Sequence, residues 1–455
     1  MSKRNFILLV IILVTVVAAI FGFFYFRRSA TTPGTGGVGT NFISQFNPFG
    51  SNKTTTPAVT PPANVSGYQP NLEPATKTNA KLKKVSGMPV AGFTIYSKER
   101  LKVVVPAPIL PSPSGEVPSK TGSTTGNLGT GKTKPTPPLT EFMPALRYVD
   151  KVTGNVYETF ADKIEERKFS TTIIPRIYEA YWGNKGESVV MRYLKTDGKT
   201  IETFAGNLPK EYLGADTTAA NEIKGSFLPE NIKDMSVSPD AGSVFYLFNV
   251  GDNMVGTTFN LTTNKKVQIF ISPFTEWLSQ WPNNKMITFT TKPSSGLPGY
   301  MYAMDPNNKN LNKIFGKING LTTLTSPDGK LVLYGNDNLS LGIYHLDTKV
   351  ANILGVKTLP EKCFWGKISD VVYCAVPKFI GAGQYPDAWY QGEVSFSDQI
   401  WKMDIKTGNA TLILDPITTS VGEEIDGIKL ALDDGENYLF FVNKKDSSLW
   451  EFGLK

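Results

Sequence analysis

Six short apolar runs recur along the chain: IYEAY (177–181), VFYLF (244–248), MITFT (286–290), LVLY (331–334), VVYCAV (371–376) and YLFFV (438–442). Their starts lie 67, 42, 45, 40 and 67 residues apart, so a period of 40–45 residues carries two insertions. The runs are rich in β-branched and aromatic residues and too short for helices, which makes them strands. A second run follows most of them in the pattern apolar-x-x-apolar-Asp: Leu146 to Asp150, Met301 to Asp305, Ile343 to Asp347 and Ile400 to Asp404. VMRYLKTDGK, TTFNLTTNKK and SLWEFGLK are degenerate copies, and turns such as KTDG, DPNN and DIKTG supply Asp, Asn and Gly where a hairpin needs positive φ.

A repeat of this length holds about four strands, and one such sheet cannot cover both of its apolar faces. Sheets stacked around an axis cover one another. Seven copies of the second run set the expected blade number at seven. Residues 85–105 and 141–455 together supply 336 residues, or 48 per blade. Six or eight blades also fit the length, and a pair of β-sandwiches is the competing architecture. The expected fold class is therefore all-β, a β-propeller, preceded by an N-terminal transmembrane helix and a disordered linker.

That preceding segment is read from composition. Phe6 to Phe26 is a charge-free run of 21 residues, long enough at about 1.5 Å per residue to cross a ~30 Å hydrocarbon core. Residues 30–140 hold 16 of the 31 prolines, with much Thr, Ser and Gly. The expected organisation is an anchor over 1–28, a Pro/Thr/Gly-rich linker over 29–84, and a propeller over 85–455 with a disordered insertion at about 106–140. Membrane is the expected partner through Phe6–Phe26. The expected location is the cell membrane, with the C-terminal domain outside the cytoplasm.

Charge and rare residues limit the chemistry. The first 28 residues carry four basic and no acidic side chains, whereas residues 141–455 carry 32 basic and 37 acidic ones. The net +7 thus belongs to the N-terminal part, and a nucleic-acid groove on the fold is excluded. A single histidine, His345, and two cysteines remove most His-based acid–base chemistry and every Cys/His zinc cluster. Residues 141–455 have only Arg147, Arg167, Arg176 and Arg192, too few for sialidase-type convergence of arginines. No catalytic residue, metal or cofactor is expected.

SVSPDAGSVFYLF (236–248) and LTSPDGKLVLYGNDNLSLGIYHLDTKVANIL (324–354) resemble the repeat of TolB-type and WD-type propellers, with Ser-Pro-Asp as the turn between the first two strands of a blade. The resemblance covers 230–455 well and 141–229 weakly, and it lacks the Trp-Asp pairs. It implies a protein-interaction platform, although propellers host many functions.

Two features stand out as candidate sites. Cys363 and Cys374 face each other if the turn between them centres on Ile368–Ser369, and a disulfide is expected. The insertion 377–399 carries Tyr385, Trp389, Tyr390 and Phe396 among Gly, Pro and Gln. Aromatics on a long loop point to partner binding, and the alternative is that they cap the sheet or plug the channel. The acidic groups Glu423, Glu424, Asp426, Asp433, Asp434 and Glu436 read as solvated turns. The expected function is a membrane-anchored, surface-exposed, non-enzymatic module that binds another protein or a surface polymer. The alternative is a polysaccharide-active hydrolase or lyase that uses channel carboxylates.

Overall fold

A computed structural model describes residues 82–102, 139–211, 213 and 221–455. Its strands pair into seven four-stranded antiparallel sheets. The sheets are blades 1 to 7 in chain order, and the architecture is a seven-bladed β-propeller. The innermost strands are Val90–Leu101, Ile177–Gly183, Asp234–Val237, Trp277–Asn283, Thr322–Thr325, Cys363–Trp365 and Gly427–Leu432. They contact their neighbours around a central channel. Each begins on the same face of the ring, called proximal here. Blade 7 closes the ring: Leu82–Ser86 pairs antiparallel with Leu449–Gly453, so its outermost strand comes from the start of the described chain.

The apolar runs are continuous because each sheet is buried on both faces. Side chains alternate across a strand. In blade 3, Val244 and Tyr246 pack toward blade 2, while Phe245 and Leu247 pack toward blade 4. In blade 6, Val372 and Cys374 face blade 5, while Tyr373 and Ala375 face blade 7. In blade 7, Leu439 and Phe441 face blade 6, while Phe440 and Val442 face blade 1. Each of the seven blade junctions has its own apolar cluster.

The Ser-Pro-Asp turns form as their residues require. The Ser238 hydroxyl donates to Asp240 at 2.6 Å and accepts the Ser243 amide at 2.9 Å. Ser326 and Asp328 repeat the arrangement, with the Leu331 amide 3.0 Å from the Ser326 hydroxyl. Cys363 and Cys374 are directly opposed across their hairpin and form a disulfide.

The membrane expectations are corrected. Residues 6–26 and 29–81 lie outside the described residues, and the last three residues of the linker expected over 29–84 are strand, since Leu82–Ser86 belongs to blade 7. Among the described residues no helix is long and apolar enough to cross a membrane. The α-helix they do contain, Asp387–Tyr390, is a single turn of four residues, about 6 Å long against a ~30 Å core. The fold class is therefore an all-β propeller. The single-pass topology, the membrane partner through Phe6–Phe26 and the extracytoplasmic cell-membrane location find no spanning helix among the described residues.

One acidic turn is also corrected. Asp426 is fully buried, because Lys362, 64 residues earlier in the sequence, lies against it. The Lys362 ammonium also contacts Asp398 at 2.7 Å, and all three side chains are inaccessible to solvent. Asp426 further accepts the Trp389 indole N–H at 3.1 Å and the Phe396 amide at 3.0 Å. The triad thereby clamps the 377–397 insertion onto blades 6 and 7. Asp433, 3% exposed, is likewise drawn inward by the amides of Gly435, Asn437 and Tyr438.

Two stability changes follow from this packing. Phe440→Ala should cost about 3–5 kcal/mol in denaturant unfolding, because it empties part of the blade 7–blade 1 junction. Lys362→Met should cost a similar ~3–5 kcal/mol, since it strands two buried carboxylates. Adding Asp398→Asn and Asp426→Asn to Lys362→Met should restore part of that loss. A Lys362→Met protein as stable as the wild type would show that the triad is not holding the insertion.

Candidate functional site

Blades 3 to 6 enclose a cavity of about 650 Å³ at the proximal face. Its walls come from the starts of four innermost strands and from two loops on the same face. Asp234 and Ser279 come from blades 3 and 4, Thr322 and Thr323 from blade 5, and Glu361 from the turn Pro360–Lys362 that enters blade 6. Lys292 and Pro293 of a blade 4 loop and Asp387, Tyr390 and Gln391 of the blade 6 insertion complete the rim. The two loops are tied together, because the Ser295 amide donates to the Asp387 carboxylate.

Two of the carboxylates are set apart by their surroundings. Asp234 is deeply enclosed, and burial pushes its pKa up to about 6. The nearby Glu179 adds to the rise, while the Ser279 bonds and Arg192 oppose it. One Asp234 oxygen accepts both the amide and the hydroxyl of Ser279, each at 2.6 Å. Burial also raises the pKa of Glu361, against the Tyr390 bond and the Lys362 charge. Tyr390 donates its hydroxyl to one Glu361 oxygen, and the other has no protein partner. The Thr322 hydroxyl, in the same wall, also has none. Buried polar atoms left in this state are ready to bond a ligand or solvent.

The four aromatic residues of the insertion divide. Tyr385, Trp389 and Phe396 are 4%, 5% and 2% exposed and turn inward, packed with Leu339 and Leu359. Trp389 and Phe396 each stack near the Lys362 ammonium, 5.3 Å from it. Tyr390 is 41% exposed; its ring faces the cavity and its hydroxyl reaches Glu361. The insertion thus forms a wall of the pocket.

The expected non-enzymatic module is corrected here. That expectation rested on finding no convergent chemical groups along the sequence. Asp234 and Glu361 stand 127 positions apart in the chain, yet the ring brings them to one cavity from blades three places apart. Neither stands out in the sequence, because each is a single acid beside a lysine, in KDMS and PEKC. The signal was there: an acidic residue at the first position of an innermost strand, in DMSV, or just before one, in EKCFW, faces the channel.

No family model matches the chain, and no curated protein matches it. Solved structures do. TolB from Acinetobacter baumannii is 15% identical over 57% of this chain and 59% of that one, with a TM-score of 0.38. The chain thus spans less than two thirds of that structure's length. An oligogalacturonate lyase in complex with manganese is 10% identical over 68% of this chain and 86% of that one, with a TM-score of 0.42. An oligogalacturonate lyase from Vibrio parahaemolyticus is 8% identical over 69% and 86%, with a TM-score of 0.47. The seven-bladed architecture itself stands on the strand pairing described above, and it is at the level of fold that the chain resembles TolB-type propellers.

Proposed function

We propose that this protein is a polysaccharide-active enzyme, a hydrolase whose chemistry is performed by Asp234 and Glu361 in the proximal cavity. The observation that carries the reading is the pair of enclosed carboxylates with raised pKa in one cavity, each with an oxygen not engaged by the Ser279 or Tyr390 bonds. The cavity size suits a small-molecule or chain-end ligand. Its hydroxyl, amide and aromatic lining suits a polyhydroxylated one.

In glycoside hydrolysis one carboxylic acid protonates the leaving oxygen while a second carboxylate activates water or attacks the sugar. Asp234 is the acid. Burial keeps a proton on it up to about pH 6, and Ser279 holds one oxygen in place. Glu361 is the base or nucleophile, oriented by the Tyr390 hydroxyl on one oxygen and with its second oxygen free of any protein partner. Tyr390 also offers its exposed ring as a stacking platform for a sugar. Lys292 is a lysine of the cavity lining and already lies 3.3 Å from Glu276.

The test is a polysaccharide and oligosaccharide panel, read for new reducing ends and for unsaturated, ultraviolet-absorbing products. Asp234→Asn and Glu361→Gln should each lower kcat by about 10²–10⁴ with the melting temperature unchanged or higher. Activity should fall as pH rises through about 6, because Asp234 then loses the proton it must donate. Unsaturated products would replace hydrolysis with elimination. Activity that survives both substitutions would remove these residues from the chemistry.

A further inference from the structure

Blades 7, 1 and 2, on the other side of the proximal face, share a distortion. In each, the innermost strand carries an extra residue near its start. Ala91 is the extra residue between Val90 and Gly92, whose partners Asp150 and Val149 are consecutive. Tyr178 is the extra residue between Ile177 and Glu179, opposite Tyr193 and Arg192. In blade 7 the pairing shifts between Ile428 and Ala431, opposite Val442 and Phe440. Blades 3, 5 and 6 pair their innermost strands without a shift, and the shift in blade 4 lies at the far end of its strand. Bulges re-aim side chains and collect beside functional sites.

The blade 7 bulge holds Lys429 in the left-handed region, at φ 52°. A non-glycine residue there is strained, and such strain persists where the surroundings impose it. The result is a solvent-exposed lysine on the innermost strand of blade 7, with its ammonium turned to protein. Its ammonium donates to the Ala91 carbonyl, freed by the blade 1 bulge, at 2.8 Å. Gly92, next to Ala91, lets blade 1 come close to blade 2: a Cβ there would lie 2.1 Å from the Ala180 carbonyl oxygen. Arg192, 5% exposed, pairs with Glu179 and lies 5.2 Å from the ring of the bulged Tyr178; its Nε has no protein partner. Lys151 donates to Ser447 at 2.8 Å at the same junction.

We infer that Lys429, Arg192 and Lys151 form an anion-binding subsite on the blade 7–1–2 side of the channel, suited to a carboxylate, sulfate or phosphate group. Three cations share this region with the carboxylate of Glu179, the Asp150 carboxylate is taken up by the amides of Val152 and Thr153, and Asp234 marks the border with the proximal cavity. Burial of its ammonium end depresses the Lys429 pKa, Glu179 opposes the shift, and the Lys151 and Arg192 charges add to it. An anion placed among them counters that shift and gains charge-assisted hydrogen bonds. The subsite does not depend on the hydrolase reading, because it can be tested without catalysis.

The probe is inorganic sulfate, titrated calorimetrically into the full chain in a low-salt chloride buffer. Wild type should bind one sulfate, and Lys429→Met should bind it roughly tenfold or more weakly. Lys429→Arg keeps the charge and should keep the affinity. Lys429→Gly relieves the strained backbone, so it should melt higher than wild type while binding no sulfate. Glu361→Gln should bind sulfate as wild type does, which separates this subsite from the acid–base pair. Competition by glucuronate would identify a sugar carboxylate as the natural group, and competition by phosphate alone would identify a phosphate ester; both support the subsite. A wild type that takes up no sulfate, or Lys429→Met and Lys429→Gly proteins that bind it unchanged, would overturn it.

Discussion

A four-stranded sheet that is apolar on both faces is stable only between two others, and everything else in this protein depends on that constraint. Phe440 and Phe441 are neighbours in sequence but belong to different junctions. Both junctions draw on the strand that closes the ring. Closure rests on Leu82–Ser86, which completes blade 7 with a strand from the opposite end of the described chain. Its Val85 joins the blade 7–blade 1 cluster, and its Leu82 joins the blade 6–blade 7 cluster. Backbone pairing and side-chain burial therefore close the ring together. Once closed, the ring fixes seven strand starts around one axis, and residues far apart in sequence meet there.

The buried triad carries that order from scaffold to pocket. Glu361 and Lys362 are consecutive in the short turn that enters blade 6. Lys362 is pulled fully inside by Asp398 and Asp426, while Glu361 lines the cavity. An ion pair buried in this way adds little net stability against an apolar substitute of the same shape, because desolvation offsets attraction. Its effect here is positional. Asp426 also holds Trp389 and the Phe396 amide, so one lysine fixes both the turn bearing Glu361 and the insertion bearing Tyr390. Burial pushes the Asp398 pKa up to about 6 against the Lys362 charge, which shows how dry the triad is.

What the sequence revealed follows from which forces act locally. Strand runs, Ser-Pro-Asp turns and the opposed cysteines are set within a few residues, and VFYLF, YLFFV and CFWGKISDVVYC carry them openly. The site is set by closure and is spread across blades. EEID gave no hint that Asp426 would be buried, because its partner Lys362 lies in another blade. Aromatic content marked the 377–399 insertion as special, but composition cannot say which rings turn inward. Three do so because Lys362, Asp426 and Leu359 lie beneath them, and Tyr390 does not. The Phe6–Phe26 run illustrates the converse. Apolar length alone led to a membrane topology, and among the described residues no helix bears it out.

The proximal face is built in two ways that answer different chemical needs. On blades 3 to 6 the strands pair regularly and the special feature is side-chain identity: single acids at strand starts, held by a serine or a tyrosine. Enclosure alone raises the pKa of a carboxyl group, and a regular ring encloses such groups at no conformational cost. On blades 7, 1 and 2 the strands themselves are distorted, with extra residues at Ala91 and Tyr178 and a left-handed Lys429. Regular pleating would send a long cation at such a position along the sheet or out to solvent. A bulge turns it toward the axis and frees a carbonyl to hold it, as Ala91 does for Lys429. Natural chains break their own local rules mainly where function requires it. Here the breaks fall on three consecutive blades at one face, around the charges that packing alone would keep apart.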